Sequence, residues 1–382
     1  MSHDFTQHSP QTPQTPHPPG YVGSADHSGN DEFGFVPAAE VDQQAAAAIT
    51  AAMSSTERGR SFGRLIDAAA FMAACQAKVP AEPLRQPRVV VFYADSANPA
   101  DTTAADAGTA PDDQSRTNND TVADDIAAGG APVATLARTH GVGVRVERIS
   151  ADSSEHASTT ALEFGRQIAD SEIDAGADIL IPGELSEDIS LDAAALFGIV
   201  TKTEPVALLS LETSGTTSQW QHDVATVRDQ MFHCRGANST PLETIRHFDS
   251  VTAQALVGFI LQAAARRTPV LVDGCLATVC GLVAEKINPG TKSWLRSSQL
   301  SPEPAHMLAV QKLELTPLLA FDLTTGQGTG GILALSALNA AIELVSDEVY
   351  AITDAVNAQT QAEAGSSMSA ESRVDPRQED II

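Results

Sequence analysis

The chain has 382 residues and a formal net charge of −26, from 49 acidic against 23 basic residues. That length holds one large domain or two modest ones, and so acidic a surface argues against nucleic acid or an anionic membrane as a partner. No run of about 18 apolar residues is available to span a bilayer, and the first residues lack the basic and apolar regions of a secretory signal, so a cytoplasmic location is expected.

Residues 1–42 hold six prolines and no Lys or Arg, which reads as a disordered acidic tail. Gln43–Ala52 and Arg64–Lys78 are alanine-rich with helical spacing; in the second, Leu65, Ala68, Ala69, Met72 and Cys75 share a face. Arg88–Tyr93 is a continuous apolar run, the pattern of a parallel strand covered on both faces. Asn98–Gly130 carries seven Asp against the single Arg116, so an acidic surface loop is expected over 98–130, with a short helix at its end. Gly143–Ile149 alternates as a half-buried strand, and Thr159–Ala175 reads as a helix feeding a buried strand at Ala177–Pro182. Leu191–Val200 is helical, Pro205–Ser210 reads as a further strand, and the helix Val251–Arg266 feeds Pro269–Asp273. Helices over Leu276–Lys286, Pro304–Leu313 and Gly330–Leu344 close the series, and residues 361–382 read as a second disordered tail. Strands alternating with helices imply an α/β fold on a mostly parallel sheet, with the helices at both ends packing as a smaller unit.

Four cysteines (Cys75, Cys234, Cys275, Cys280) show no C-x-x-C spacing and read as reduced thiols. The ten histidines form no H-E-x-x-H, and neither a metal nor a cofactor is expected. Ligands of such a sheet bind beyond the carboxyl ends of the strands. Three of those ends carry candidate groups: Gly183 and Glu184, the segment Ser210–Thr217 with Gly215, and Asp273 with Gly274. Gly and Asp after a strand are also ordinary turn residues. The fourth candidate is Leu323-Thr-Thr-Gly-Gln-Gly-Thr-Gly-Gly331, between an apolar run and a helix. Gly326, Gly328 and Gly330 let the backbone approach a ligand, and the N–H groups that start the helix are expected to face an anion. The same loop also reads as a helix-start turn packed against Asp273.

From Pro241 to Leu344 a specific succession appears: Ala-Ala-Ala-Arg-Arg-Thr-Pro-Val-Leu-Val-Asp-Gly (263–274), Asn288-Pro289, Ser-Pro-Glu-Pro-Ala-His (301–306), Leu-Glu-Leu-Thr-Pro-Leu-Leu (313–319) and the glycine loop. It resembles the nicotinate-nucleotide:dimethylbenzimidazole phosphoribosyltransferases, and weaker matches reach back to Ser61–Leu65, Pro87–Asp95 and Ala177–Glu184. The resemblance implies a phosphoribosyltransferase-like domain over 43–360. It further implies a Rossmann-like sheet, a small helical domain from about 43–80 and 330–360, and a homodimer. It implies transfer of phosphoribose from nicotinate mononucleotide to dimethylbenzimidazole, giving α-ribazole phosphate and nicotinate in cobalamin lower-ligand synthesis. In that family a Glu in the glycine loop is the base, and Gln327 stands at its position. Glu184 matches a Glu near nicotinate and ribose, and Ser298 and Ser301 match a segment lining the nucleotide site. The family's phosphate cradle after Glu184 is replaced by Ser186-Glu187-Asp188-Ile189-Ser190, no Lys occurs from Glu204 through Glu285, and Asp95-Ser96-Ala97 replaces Asp-His-Gly. Two expectations follow: a working transferase using water, Glu184 or Asp273 as base, or a catalytically impaired paralogue that binds a ligand or partner.

Overall fold

The computed structural model describes residues 34–94, 118–149, 157–185, 189–234 and 240–371. The chain divides into Met1–Phe35 and Val36–Ile382, and every element below lies in the second part. Nearly all of the expected N-terminal tail, most of the acidic loop, Asp95-Ser96-Ala97, Ser186-Glu187-Asp188 and residues 372–382 fall outside the described residues.

Helices α1 (Gln43–Ser55), α2 (Glu57–Arg60) and α3 (Leu65–Gln76) precede strand β1 (Pro87–Ala94). Helix α4 (Asn118–Ala128) is the short helix at the end of the acidic segment. It is followed by α5 (Pro132–His140), β2 (Gly143–Ile149), α6 (Ala157–Asp174), β3 (Ile179–Leu185) and α7 (Ile189–Thr201). Next come α8 (Leu211–Ser214), α9 (Thr217–His233), α10 (Pro241–Arg246), α11 (Val251–Ala265), β4 (Val270–Val272) and α12 (Cys275–Ile287). The series ends with β5 (Leu295–Ser297), β6 (Gln299–Leu300), α13 (Pro304–Lys312), β7 (Leu319–Ala320) and α14 (Thr329–Glu371).

The main sheet has the order β2-β1-β3-β4-β5 and every pairing in it is parallel. Alternate residues of the central strands serve two layers. Val89, Val91, Ile179 and Ile181 join a core with Met72, Val133 and Leu338 on one side. On the other, Phe92 meets Phe259 of α11 edge to face, with ring centroids 5.4 Å apart. Burial on both faces is why these strands are continuously apolar in sequence.

Pro182 shapes the mouth of the sheet. The Leu180 N–H donates towards β4, to Pro269 O at 3.0 Å. Two residues on, the nitrogen facing the same way belongs to Pro182 and has no hydrogen to give. The β3–β4 pairing accordingly ends at Leu180–Val270, and the strands part just before Glu184 and Asp273.

Pro205–Ser210 is not a strand, contrary to expectation. Pro205–Ala207 is a 3₁₀ turn, Ser210 caps α8, and β4 pairs directly with β3. Leu208 and Leu209 are buried without pairing. Helices α1, α3 and α14 pack together through Ile49, Met53, Met72, Leu338, Ile342 and Val345, in the same core that covers one face of the sheet. Glu348 of α14 ties them further, accepting from Thr56 Oγ1 at 2.6 Å and pairing with Arg58. Helix α14 runs past residue 361, where the second tail was expected to begin, to Glu371. Its Thr329–Gln361 stretch is long and apolar enough to cross a membrane by composition, but 56% of its most apolar window is buried inside this fold.

Helices α6 and α11 cross at two glycines. A Cβ on Gly258 would lie 2.0 Å from Leu162 O, and one on Gly165 would lie 1.9 Å from Ala255 O. Both obstacles are backbone, so the helices would have to separate. Gly258→Ala is expected to cost about 3 kcal/mol, read as a lower midpoint in urea; a wild-type midpoint would contradict this packing.

Candidate active site

The ends of β3 and β4, the turn from β5 to β6 and the loop before α14 converge on one narrow cleft. Gly183 lets the glycine loop lie directly on β3: a Cβ there would be 2.4 Å from the carbonyl carbon of Gln327 and 2.8 Å from Gly328 N. Gly326, Gln327 and Gly328 all have positive φ, at 61°, 61° and 78°. For Gln327 that is a sparsely occupied conformation, held by the packing around it. Its Oε1 is buried and has no hydrogen-bond partner.

Asp273 clamps this loop. Its Oδ1 accepts from Ser298 Oγ at 2.6 Å and its Oδ2 from Gly330 N–H at 2.8 Å. Gly330 has no room for a side chain, since a Cβ would lie 2.3 Å from Asp273 Oδ1. The expectation that the first N–H groups of α14 would face an external anion is therefore corrected: Asp273 itself is the anion there. Gln299 adds a second tie, donating from Nε2 to Leu323 O at 2.9 Å and accepting from Leu323 N at 3.3 Å.

Glu184 is only 1% exposed, and neither carboxyl oxygen has a hydrogen-bond partner. Gly274 and Gly326 flank it, with positive φ of 81° and 61°; Cβ atoms there would only reach van der Waals contact with Oε1, at 3.4 and 3.7 Å. Burial pushes this carboxyl well above the ordinary range, and the neighbouring Asp273 and Glu303 push it further. Asp273 is also raised by burial, against which its bonds to Ser298, Gly330 and Gly331 act.

Glu303 forms the opposite wall. It accepts from Ser190 Oγ, at the start of α7, and from Ser301 Oγ at 2.7 Å. Behind Ser301 lies His306, fully buried, with its pKa lowered to about 4 by desolvation. Thr278 Oγ1 donates to Gly274 O at 2.7 Å, so His306 Nε2–H donates to Thr278 at 3.2 Å and Nδ1 accepts from Ser301 N–H at 3.2 Å. This tautomer follows from the hydrogen-bond network.

The N-termini of α7, α12, α13 and α14 all meet at this cleft. Neither α12 nor α13 has a side-chain cap, so their first N–H groups are suited to an anionic ligand group. The Cys275 thiol at the start of α12 is held protonated by burial, reinforced by Glu303 and Glu184. Among the described residues no three His, Cys, Asp or Glu side chains are grouped so as to hold a metal ion.

Of the residues singled out in the sequence, Gly183, Glu184, Asp273, Gly274, Ser298, Ser301, Gly326, Gln327, Gly328 and Gly330 are thus brought together. Gly215 is not. It is the exposed C-cap of α8, away from the cleft, because the segment before it never joins the sheet. Glu303, Gln299 and Ser190 were not singled out. Glu303 lies within the Ser301–His306 succession already noted, where a Glu before Pro reads as a helix cap.

The phosphoribosyltransferase family model DBI_PRT matches residues 38–355. A nicotinate-nucleotide–dimethylbenzimidazole phosphoribosyltransferase of Corynebacterium efficiens is 37% identical over 316 residues, 75% of this chain and 82% of its own. One of Mycobacterium ulcerans is 33% identical over 348 residues, 82% of this chain and 93% of its own. The crystal structure of the protein of that name from Thermus thermophilus shares the fold, with a TM-score of 0.69 at 23% identity over 80% of this chain and 96% of that one. The match over nearly the whole folded part, together with relatives above 30% identity, places the chain in the nicotinate-nucleotide–dimethylbenzimidazole phosphoribosyltransferase family.

Proposed function

We propose that the chain transfers phosphoribose from nicotinate mononucleotide to dimethylbenzimidazole, releasing nicotinate and forming α-ribazole phosphate for the lower ligand of cobalamin. The observation that carries this reading is the Asp273-clamped glycine loop, which lies against Gly183 and sets Gly326 and Thr329 beside Glu184 in one cleft at the strand ends. It is supported by relatives of that name matching over most of their length.

An azole ring nitrogen attacks the anomeric carbon of ribose from the face opposite nicotinate. The C–N bond to nicotinate breaks, its electron pair stays on the pyridine nitrogen, and configuration inverts. Holding the two rings in line accounts for most of the acceleration. The uncapped starts of α12 and α13 suit the phosphate or carboxylate of the nucleotide. Gln327 carries an amide, which accepts a hydrogen bond but is not a base at neutral pH. Its presence does not leave the cleft without carboxylates, because Glu184, Asp273 and Glu303 all line it. The same reading makes the protein a cytoplasmic homodimer, with a charge of −26 that disfavours nucleic acid and anionic membranes.

The purified protein is expected to release nicotinate from nicotinate mononucleotide only when dimethylbenzimidazole is present. Release that ignores the azole would indicate a hydrolase, and a thermal shift with the nucleotide but no release would indicate the binding-only paralogue.

A further inference from the structure

The three carboxylates of the cleft are held in three different ways. Asp273 is fully committed, one oxygen to Ser298 and the other to Gly330 N–H. If it took up a proton it would loosen the loop that closes the site. Glu184 is enclosed, has no donor to stabilise a negative charge, and faces two other carboxylates. An acid in that position carries its proton already and serves as a donor to a ligand. Glu303 alone is only partly buried, lines the cleft and receives two hydroxyl donors, from Ser190 and Ser301.

Ser301 gives Glu303 a further property. Its Oγ lies 2.7 Å from Glu303 Oε2 and also 2.7 Å from His306 Nδ1. While Glu303 is charged, the single hydroxyl proton points to it. His306 Nδ1 also accepts from Ser301 N–H at 3.2 Å, which fixes the backbone that presents the Ser301 hydroxyl to Glu303.

We propose that Glu303 is the proton acceptor of the transfer reaction in this chain, with Ser301 and His306 as its positioning residues and Glu184 as a neutral hydrogen-bond donor. As one azole nitrogen bonds to the anomeric carbon, the proton on the other nitrogen passes to the Glu303 carboxylate. The ribose–nicotinate bond breaks with its electron pair on nicotinate, and the proton leaves to solvent after product release. The assignment rests on the transfer reaction proposed above.

The test compares wild type, Glu303→Gln and Ser301→Ala in steady-state kinetics that separate kcat from KM, with nucleotide binding followed by calorimetry. Glu303→Gln is expected to lower kcat by about 10²–10⁴-fold and to retain nucleotide binding. Glu303 occupies the N-cap of α13 without making a capping bond, so its amide is expected to leave the fold intact. Ser301→Ala keeps the base but removes a hydroxyl that orients it, so kcat should fall while KM for the nucleotide is retained. Glu303→Gln with wild-type kcat would overturn the assignment while leaving the transfer reaction standing. A folded wild type with no turnover would overturn both.

Discussion

Glu184→Gln is expected to stabilise the protein, and to do so more strongly as pH rises. The folded carboxyl is raised above its ordinary value of 4.5, first by burial and then by Asp273 and Glu303. The folded state therefore binds a proton that the unfolded state has released, and its Glu184 contribution is intact below about pH 4.5. It is lost at about 1.4 kcal/mol per pH unit as pH climbs towards the raised value. Gln has nearly the same shape and never ionises, so its advantage grows as pH rises through that range. Thermal unfolding of both proteins at pH 5 and pH 8 reads this directly: the gap in Tm should widen at pH 8. A gap that is constant, or that favours wild type, would show that Glu184 is charged and partnered in the fold. A side chain that costs stability where it stands marks a site kept for chemistry.

Asp273→Ala is expected to have the largest destabilising effect in the cleft. It leaves Ser298 Oγ and the Gly330 N–H buried without their acceptor. Each orphaned group costs about 1–3 kcal/mol, which together exceeds the relief from removing a carboxyl that burial already disfavours. A net loss of about 3–5 kcal/mol is expected, with turnover lost as the Gly326–Gly330 loop leaves β3. Asp273→Asn should fall between, since its amide oxygen still accepts from Gly330 N–H while its Nδ2–H faces Ser298 Oγ, whose hydroxyl must turn to accept. Urea unfolding and turnover measured on the same samples decide it; near wild-type values for the Ala variant would mean the clamp is dispensable.

The strands of the sheet were legible because they are sandwiched. Arg88–Tyr93, Ala177–Pro182 and Pro269–Asp273 are apolar on both faces, and so is the space around β1, β3 and β4. The same signal misled at Pro205–Ser210, where Leu208 and Leu209 are buried under helices and not in a ladder. Helix α9 was missed for the opposite reason: it buries only Asp223 and Val227, and Asp223 is satisfied by Ser214 and Gln219. Polar anchoring leaves no apolar period to read. In the cleft, Asp273 and the glycine loop announced themselves as a carboxylate and a flexible turn at element ends. Their meeting spans 57 residues of sequence, which no local pattern encodes. Glu303 was hidden in the same way: its partner Ser190 sits on α7, 113 residues earlier.

Proton NMR of wild-type protein incubated with nicotinate mononucleotide and dimethylbenzimidazole follows the transfer itself. Nicotinate and α-ribazole phosphate are expected to accumulate in equal amounts, with the ribose carbon in the α configuration alone. Unchanged substrates in the presence of folded protein, or a β-configured product, would contradict the proposed transfer.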